Sequence, residues 1–288
     1  MRDNSIGSRI FSIVNVAVLA AIAFICVFPF IEIVGGSFAS NQELIARDIV
    51  IIPHQFSLDA YRYIFSSDKI PHSLLITVFI TVTGTMINLA LTASGAFALA
   101  RPGMKGRGVI LFLIVFTMLF QGGLIPTYLV VKELHLLNTL WAVMLPGAIS
   151  AFNLILMRNF FMQLPEEIYD SAKIDGCNDL VTFVRIALPL SKASLATFTL
   201  FYAVTHWNSF LMPFLYLNNS DLWPIQIWLR DMIVLASGDF QDPGFSIEVA
   251  TRSLQSATIV VATLPILLFY PFVQKYFAQG VTLGSVKG

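Results

Sequence analysis

Hydrophobic positions in this chain gather into six long runs, at about 10–36, 73–99, 109–131, 139–161, 194–217 and 254–273, with polar stretches between them. Each run reaches about 20 residues or more, the length a helix needs to cross a hydrocarbon core about 30 Å thick. Lys and Arg keep to the ends of the runs. A cation at a span centre costs roughly 2.5–3.5 kcal/mol, against about 0.3–0.6 gained per large apolar residue. The pattern predicts an all-α integral membrane protein: one transmembrane domain over 1–288, with six transmembrane helices. Ala21-Ile22-Ala23 resembles a signal-peptidase site, but the apolar run continues past it through Phe30. A signal h-region is only about 7–15 residues long, so the first run is predicted to be an uncleaved span.

Polar features inside the runs mark candidate function. Gly122-Gly123 and Pro126 interrupt the third run, and non-helical backbone at membrane depth is tolerated only where protein or a watery cavity covers it. The second run is rich in Thr, Ala and Gly, residues that let helices approach closely in lipid, and carries Asn88. The fifth holds Tyr202, His206, Trp207, Asn208 and Ser209. Polar groups at this depth are costly and usually face a partner or a cavity. Tyr202 and His206 share a helix face, with Ser209 three residues on. These five residues are the candidate lining of a passage, with packing against another subunit as the alternative. Asn88, Gln121 and Asn153 are weaker candidates.

Charge sets the orientation. With both termini inside, eleven Lys and Arg fall on the inner side, Arg2 and Lys287 among them, and six on the outer side: Arg47, Arg62, Lys69, Lys132, Arg230 and Arg252. The positive-inside rule then places both termini, and the loop 164–189, in the cytosol. The acidic outer loop from Asn218 to Arg252 includes Asp239, Asp242 and Glu248.

Composition agrees. Of 288 residues, 57% are hydrophobic and 12% charged, about half the roughly 25% charge of a soluble domain. Zero net charge gives no pull toward nucleic acid. Cys26 and Cys177, one in a span and one in a loop, neither pair nor form a metal site. Gly-x-x-x-x-Gly-Lys-Ser/Thr, His-Glu-x-x-His, Cys-x-x-Cys and Gly-x-Ser-x-Gly are all missing from the sequence, so no catalytic centre, cofactor or metal is expected.

The longest run that reads as a soluble, amphipathic structure with apolar spans on both sides is Leu164–Pro189. Pro165 suits the first turn of a helix, Glu166, Glu167 and Asp170 favour its N-terminal end, and Gly176 is a natural stop. Asn178 or Asp179 can cap a second helix carrying Leu180, Phe183, Val184 and Ile186. The spacing Asp170-Ser171-Ala172, three residues, Gly176, nine residues, Ile186-x-Leu188-Pro189 resembles the EAA loop of the membrane permeases of bacterial ABC importers. Asp and Ser stand here for the name-giving Glu and first Ala. Phe120 to Tyr128, Leu134 to Trp141, Asn153 to Phe161, Trp207-Asn208 with Pro213, and the ending Gly280 to Gly288 are similar to the carbohydrate and oligosaccharide subgroup.

That resemblance implies a coupling helix seated in a groove of a separate ATPase subunit. Asp170, Ser171, Ala172, Gly176, Ile186, Leu188 and Pro189 would engage it. It also implies a second related permease, two ATP-binding subunits, an external solute-binding protein, a sugar substrate and the bacterial cytoplasmic membrane. The alternatives are an ABC permease for another solute, and an ion-coupled secondary transporter. The latter would need charged coupling residues at span centres, where this sequence has none. A membrane-embedded enzyme would need a cluster of catalytic groups, and none is visible.

Overall fold

The computed structural model describes residues 6–47, 49–236 and 252–285. Arg2, Asp239, Asp242, Glu248 and the last residues of the ending, Val286 to Gly288, lie outside the described residues. Helix is the only extended regular structure among the described residues, apart from an isolated bridge between Ala39 and Phe56. The chain divides into two units, Met1–Pro71 with Leu229–Leu264, and His72–Trp228 with Pro265–Gly288.

In the first unit, α1 (Ile6–Ser37) is a helix of 32 residues, about 48 Å long at 1.5 Å per residue. None of its apolar window is buried inside the chain. Its last turn is buried. There Gly35 lies so close to the carbonyl oxygens of Val50 and Ile51 that a Cβ would collide with both. Two short helices follow, α2 (Asn41–Ala46), capped by the Ser40 side chain, and α3 (Asp59–Ser66). The buried Glu43 carboxylate accepts the backbone N–H groups of His54 (3.0 Å) and Gln55 (2.9 Å) and pairs with Arg47 at 3.2 Å. These bonds hold its pKa below the ordinary value, the Gln55 and His54 amides contributing most and Arg47 less.

The second unit is built on α4 (Lys69–Ala100). The expected third span is two helices, α5 (Arg107–Leu119) and α6 (Leu124–Glu133), bent by 116°. Gly123, at φ 85° and ψ 178°, takes a conformation essentially reserved for glycine. Pro126 falls in the first turn of α6, where an N–H is dispensable. The expected fourth span is also divided, into α7 (Trp141–Met144) and α8 (Ala151–Met162). Pro146 cannot continue α7, and the Ser150 side chain caps α8 by accepting the Asn153 N–H.

The 164–189 loop forms α9 (Glu166–Ile174), α10 (Asp179–Thr182), a π turn at Phe183–Ala187 and a last turn α11 (Leu188–Leu190). The expected fifth span is α12 (Lys192–Trp207), then α13 (Leu211–Tyr216) after a break. Pro213 sits in the first turn of α13, again where its missing donor costs least. α14 (Ile225–Ala236) and α15 (Arg252–Ser285) complete the chain, and α15 runs unbroken through Pro265 and Pro271.

Among the described residues, three helices are long and apolar enough to cross a membrane, or up to five if each bent pair counts as one span. The helical, membrane-spanning class is as expected, while the count of six spans is not matched exactly among the described residues. Proline and glycine divide the third, fourth and fifth runs.

Candidate functional site

The 164–189 loop is built by local chemistry at each joint. Glu166 and Glu167 occupy the first turn of α9 and Lys173 the last, each favourable to the helix dipole. Gly176 closes α9 in the left-handed region, at φ 76°. Its N–H donates to the Lys173 carbonyl (3.0 Å), and the Cys177 N–H reaches back to Ala172 (2.9 Å). This double closure is the Schellman motif, which favours glycine because a Cβ is strained there. The Asn178 side chain then caps α10 by accepting the Val181 N–H at 2.8 Å. The π turn ends at Ala187, two residues before Pro189, which has no N–H to continue the ordinary ladder.

An aromatic base supports this loop. Phe97 near the end of α4 meets Phe183 at 5.0 Å, Phe161 edge-on at 5.8 Å and Tyr169 at 6.2 Å between centroids. Met157, Ala187 and Phe198 complete the cluster, so α4, α8, α12 and the loop share one core. Burial pushes the Tyr169 phenol above its ordinary pKa, with Arg101 partly offsetting it.

The expected coupling residues divide by burial. Asp170, Ser171, Gly176 and Pro189 are exposed, Ile186 and Leu188 are half-buried, and Leu188 packs on the aromatic cluster. Ala172 is buried within the chain, at 3% exposure. Its small size therefore serves the loop's own packing. Three apolar side chains stand out on the loop's surface: Ile174 (86% exposed), Leu180 (69%) and Val184 (52%). The available signal was an apolar residue in a polar stretch, off the face shared by Ile168 and Ala172.

A second site lies between α4, α8 and α12, around a cavity of about 360 Å³. Tyr202, His206 and Ser209 line it, together with Asn88, Asn153 and Ser150. The Asn88 Nδ2 donates to the Gly147 carbonyl (2.9 Å), leaving its Oδ1 to accept from His206 Nε2 (2.7 Å). The Tyr202 hydroxyl shares a 2.7 Å bond with Thr92 Oγ1. The His206 ring fits against Gly84, where a Cβ would stand 2.6 Å from Nε2. Two polar ties thus join α12 to α4.

The remaining candidates are not brought to this cavity. Trp207 lines a separate apolar hollow with residues of α4 and α15. Asn208 is exposed, and its amide donates to its own Val204 carbonyl at 3.0 Å. Gln121 is exposed at the break between α5 and α6.

The family model for the binding-protein-dependent transport system inner membrane component matches residues 4–283. The chain belongs to that family. It is 50% identical over 284 residues to the polygalacturonan/rhamnogalacturonan transport system permease protein YtcP of Bacillus subtilis, covering 98% of this chain and 99% of that relative. Protein LplC of Bacillus subtilis is 48% identical over 99% of this chain and 97% of its own length. The arabinooligosaccharide transport permease AraQ of Halalkalibacterium halodurans is 30% identical over 93% of this chain and 94% of its own length. Among solved structures, a chain of a bacterial ABC transporter involved in import of the acidic polysaccharide alginate superposes with a TM-score of 0.89. The two are 32% identical, covering 96% of this chain and 100% of that one.

The chain is thus an inner-membrane permease subunit of the ABC importer class. Its sugar-permease relatives are membrane subunits, not enzymes, and ATP hydrolysis belongs to a separate subunit. Membership implies, in general terms, a partner permease, an ATPase and a binding protein.

Proposed function

We propose that this permease imports an oligosaccharide handed over by an external binding protein, as one half of a heterodimer with a related permease, driven by two ATPase copies docked on the cytosolic side. Both termini face the cytosol on this reading. The observation that carries it is the surface of the 164–189 loop. A short helix rests on a rigid aromatic base and presents Asp170, Ser171 and Ile174 outward, followed by Leu180 and Val184. Exposed apolar side chains ringed by charge suit a groove on a protein partner. Gly176 sets the turn between the two halves, and the Ile186–Pro189 stretch ties them to the spans.

The passage would run by the cavity at Tyr202, His206 and Ser209, with Asn88 and Asn153 beside them. Its lining offers hydroxyls, amides and an imidazole, with no Lys or Arg among the described lining residues. This half of the path therefore offers hydrogen bonds to the hydroxyls of a sugar. Trp207 and Asn208 act in packing or at the partner permease. An oligogalacturonide is the first substrate to try, since the half-identical Bacillus relative is named for such a polymer.

Affinity purification from the native membrane in mild detergent is expected to recover a second permease and a P-loop ATPase. Gly176→Pro removes an N–H donor and forbids the φ of 76°, so the ATPase should be lost while the partner permease remains. Recovery of the chain alone, under several detergents, would overturn the importer reading.

A further inference from the structure

Arg101 follows the last residue of α4, and its side chain reaches three elements at once. Its guanidinium carbon lies 4.5 Å over the Tyr169 ring of α9 and 5.5 Å over the Phe97 ring of α4. Its Nη2 donates to Asp179, the first residue of α10, at 2.9 Å. The Arg101 side chain is 18% exposed, while that of Asp179 is 79% exposed. An ion pair with one partner so exposed holds little by itself. The guanidinium also packs against both rings, and this cation–π contact is what strengthens the link; a Lys ammonium has no flat face to lay on them. Beside it, the Leu99 carbonyl accepts Arg158 Nε of α8 at 3.0 Å.

The other end of this link matters as much. α4 is one continuous helix from Lys69 to Ala100, and it carries Asn88 and Thr92, which hold His206 and Tyr202 at the cavity. From Arg101 to Asn88 is about 20 Å along the helix axis, at 1.5 Å per residue. A displacement of α9 and α10 applied at Arg101 therefore arrives at the cavity along one rod.

We propose that Arg101 is the positioning residue that carries movement of the cytosolic loop into α4 and so to the Asn88–His206 tie. This rests on the importer reading above. Arg101 does not meet the ATPase; it acts through Tyr169 and Asp179.

The test uses the complete transporter, reconstituted with its partner permease, ATPase subunits and binding protein. Two quantities are read: retention of the ATPase subunit, and oligogalacturonide imported per ATP hydrolysed. Arg101→Gln is expected to retain the ATPase but to import about tenfold less sugar per ATP, within the range usual for coupling between sites. Tyr169→Leu should reproduce this, and Tyr169→Phe, which keeps the ring face, should restore the wild-type ratio. Arg101→Lys keeps the charge without the flat stack and should fall between. A wild-type ratio in both Arg101→Gln and Tyr169→Leu would overturn the proposal. So would loss of the ATPase subunit in both, which would make the cluster a docking or folding element. Failure of the importer reading is separable, because the wild-type transporter would then show no ATP-dependent uptake.

Discussion

At Gly84 a helix in the middle of its span leaves out a side chain because the His206 ring fills the space. Adding a methyl would force that ring off Asn88, and overpacking of this kind costs about 1–3 kcal/mol. Gly84→Ala is therefore expected to lower the thermal unfolding temperature in detergent and to reduce uptake, and thermal scanning checks the first. Glu43 gives a pH-dependent counterpart. Its carboxylate is held below the ordinary value of 4.5 by the Gln55 and His54 amides first, and then by Arg47. A depressed folded pKa contributes stability that is fully present above about pH 4.5 and is lost as pH falls through the lower folded value. Hydrogen exchange at the His54 and Gln55 amides, corrected for intrinsic rate, should stay protected at pH 6 and open in that acid window. Glu43→Gln should open them at both pH values.

At the level of elements, the broken spans carry the argument. The corner between α5 and α6 depends on Gly123, whose φ of 85° leaves any Cβ strained although the space beside it is open. Gly123→Ala should cost about 1–3 kcal/mol through backbone strain. Gly122→Ala, one residue earlier, has an ordinary φ and meets only Pro126 at 3.9 Å, so it should be tolerated. Denaturant unfolding of the two variants in detergent separates strain at one residue from crowding of the whole corner. The 164–189 loop shows the same economy of means. Gly176, Asn178 and Pro189 set its joints, and aromatic packing on Phe97 sets its posture.

For the whole molecule, the contrast is between apolar surface that packs within the chain and the apolar window of α1, which does not. α1 buries none of its apolar window in the chain, whereas Phe161 is 1% exposed in the core beneath the 164–189 loop. Phe24→Ala on α1 should change the stability of the isolated chain by about 0.5 kcal/mol or less, as an exposed substitution does. Phe161→Ala should cost about 3–5 kcal/mol. Thermal scanning of the purified chain checks both, and a large loss at Phe24 would mean that α1 packs on its own chain after all.

Sequence by itself determined the class, the family and the helical joints of the 164–189 loop. Burial in lipid demands long apolar runs, and capping demands Pro165, Gly176 and Asn178 at fixed spacings. Both are local requirements that leave a mark in the order of residues. The interruption at Gly122-Gly123 and Pro126 was legible for the same reason. Which faces meet was decided only by tertiary structure. Tyr202 and His206 were readable as one face, but their partners Thr92 and Asn88 lie 110 and 118 residues away, beyond any periodicity. Trp207 and Asn208 were grouped with them by adjacency, yet neighbours on a helix point about 100° apart, and the two turn away from the cavity. Arg101 showed in sequence only as a loop cation. Its place against two rings and a carboxylate exists only once α4 has met α9 and α10.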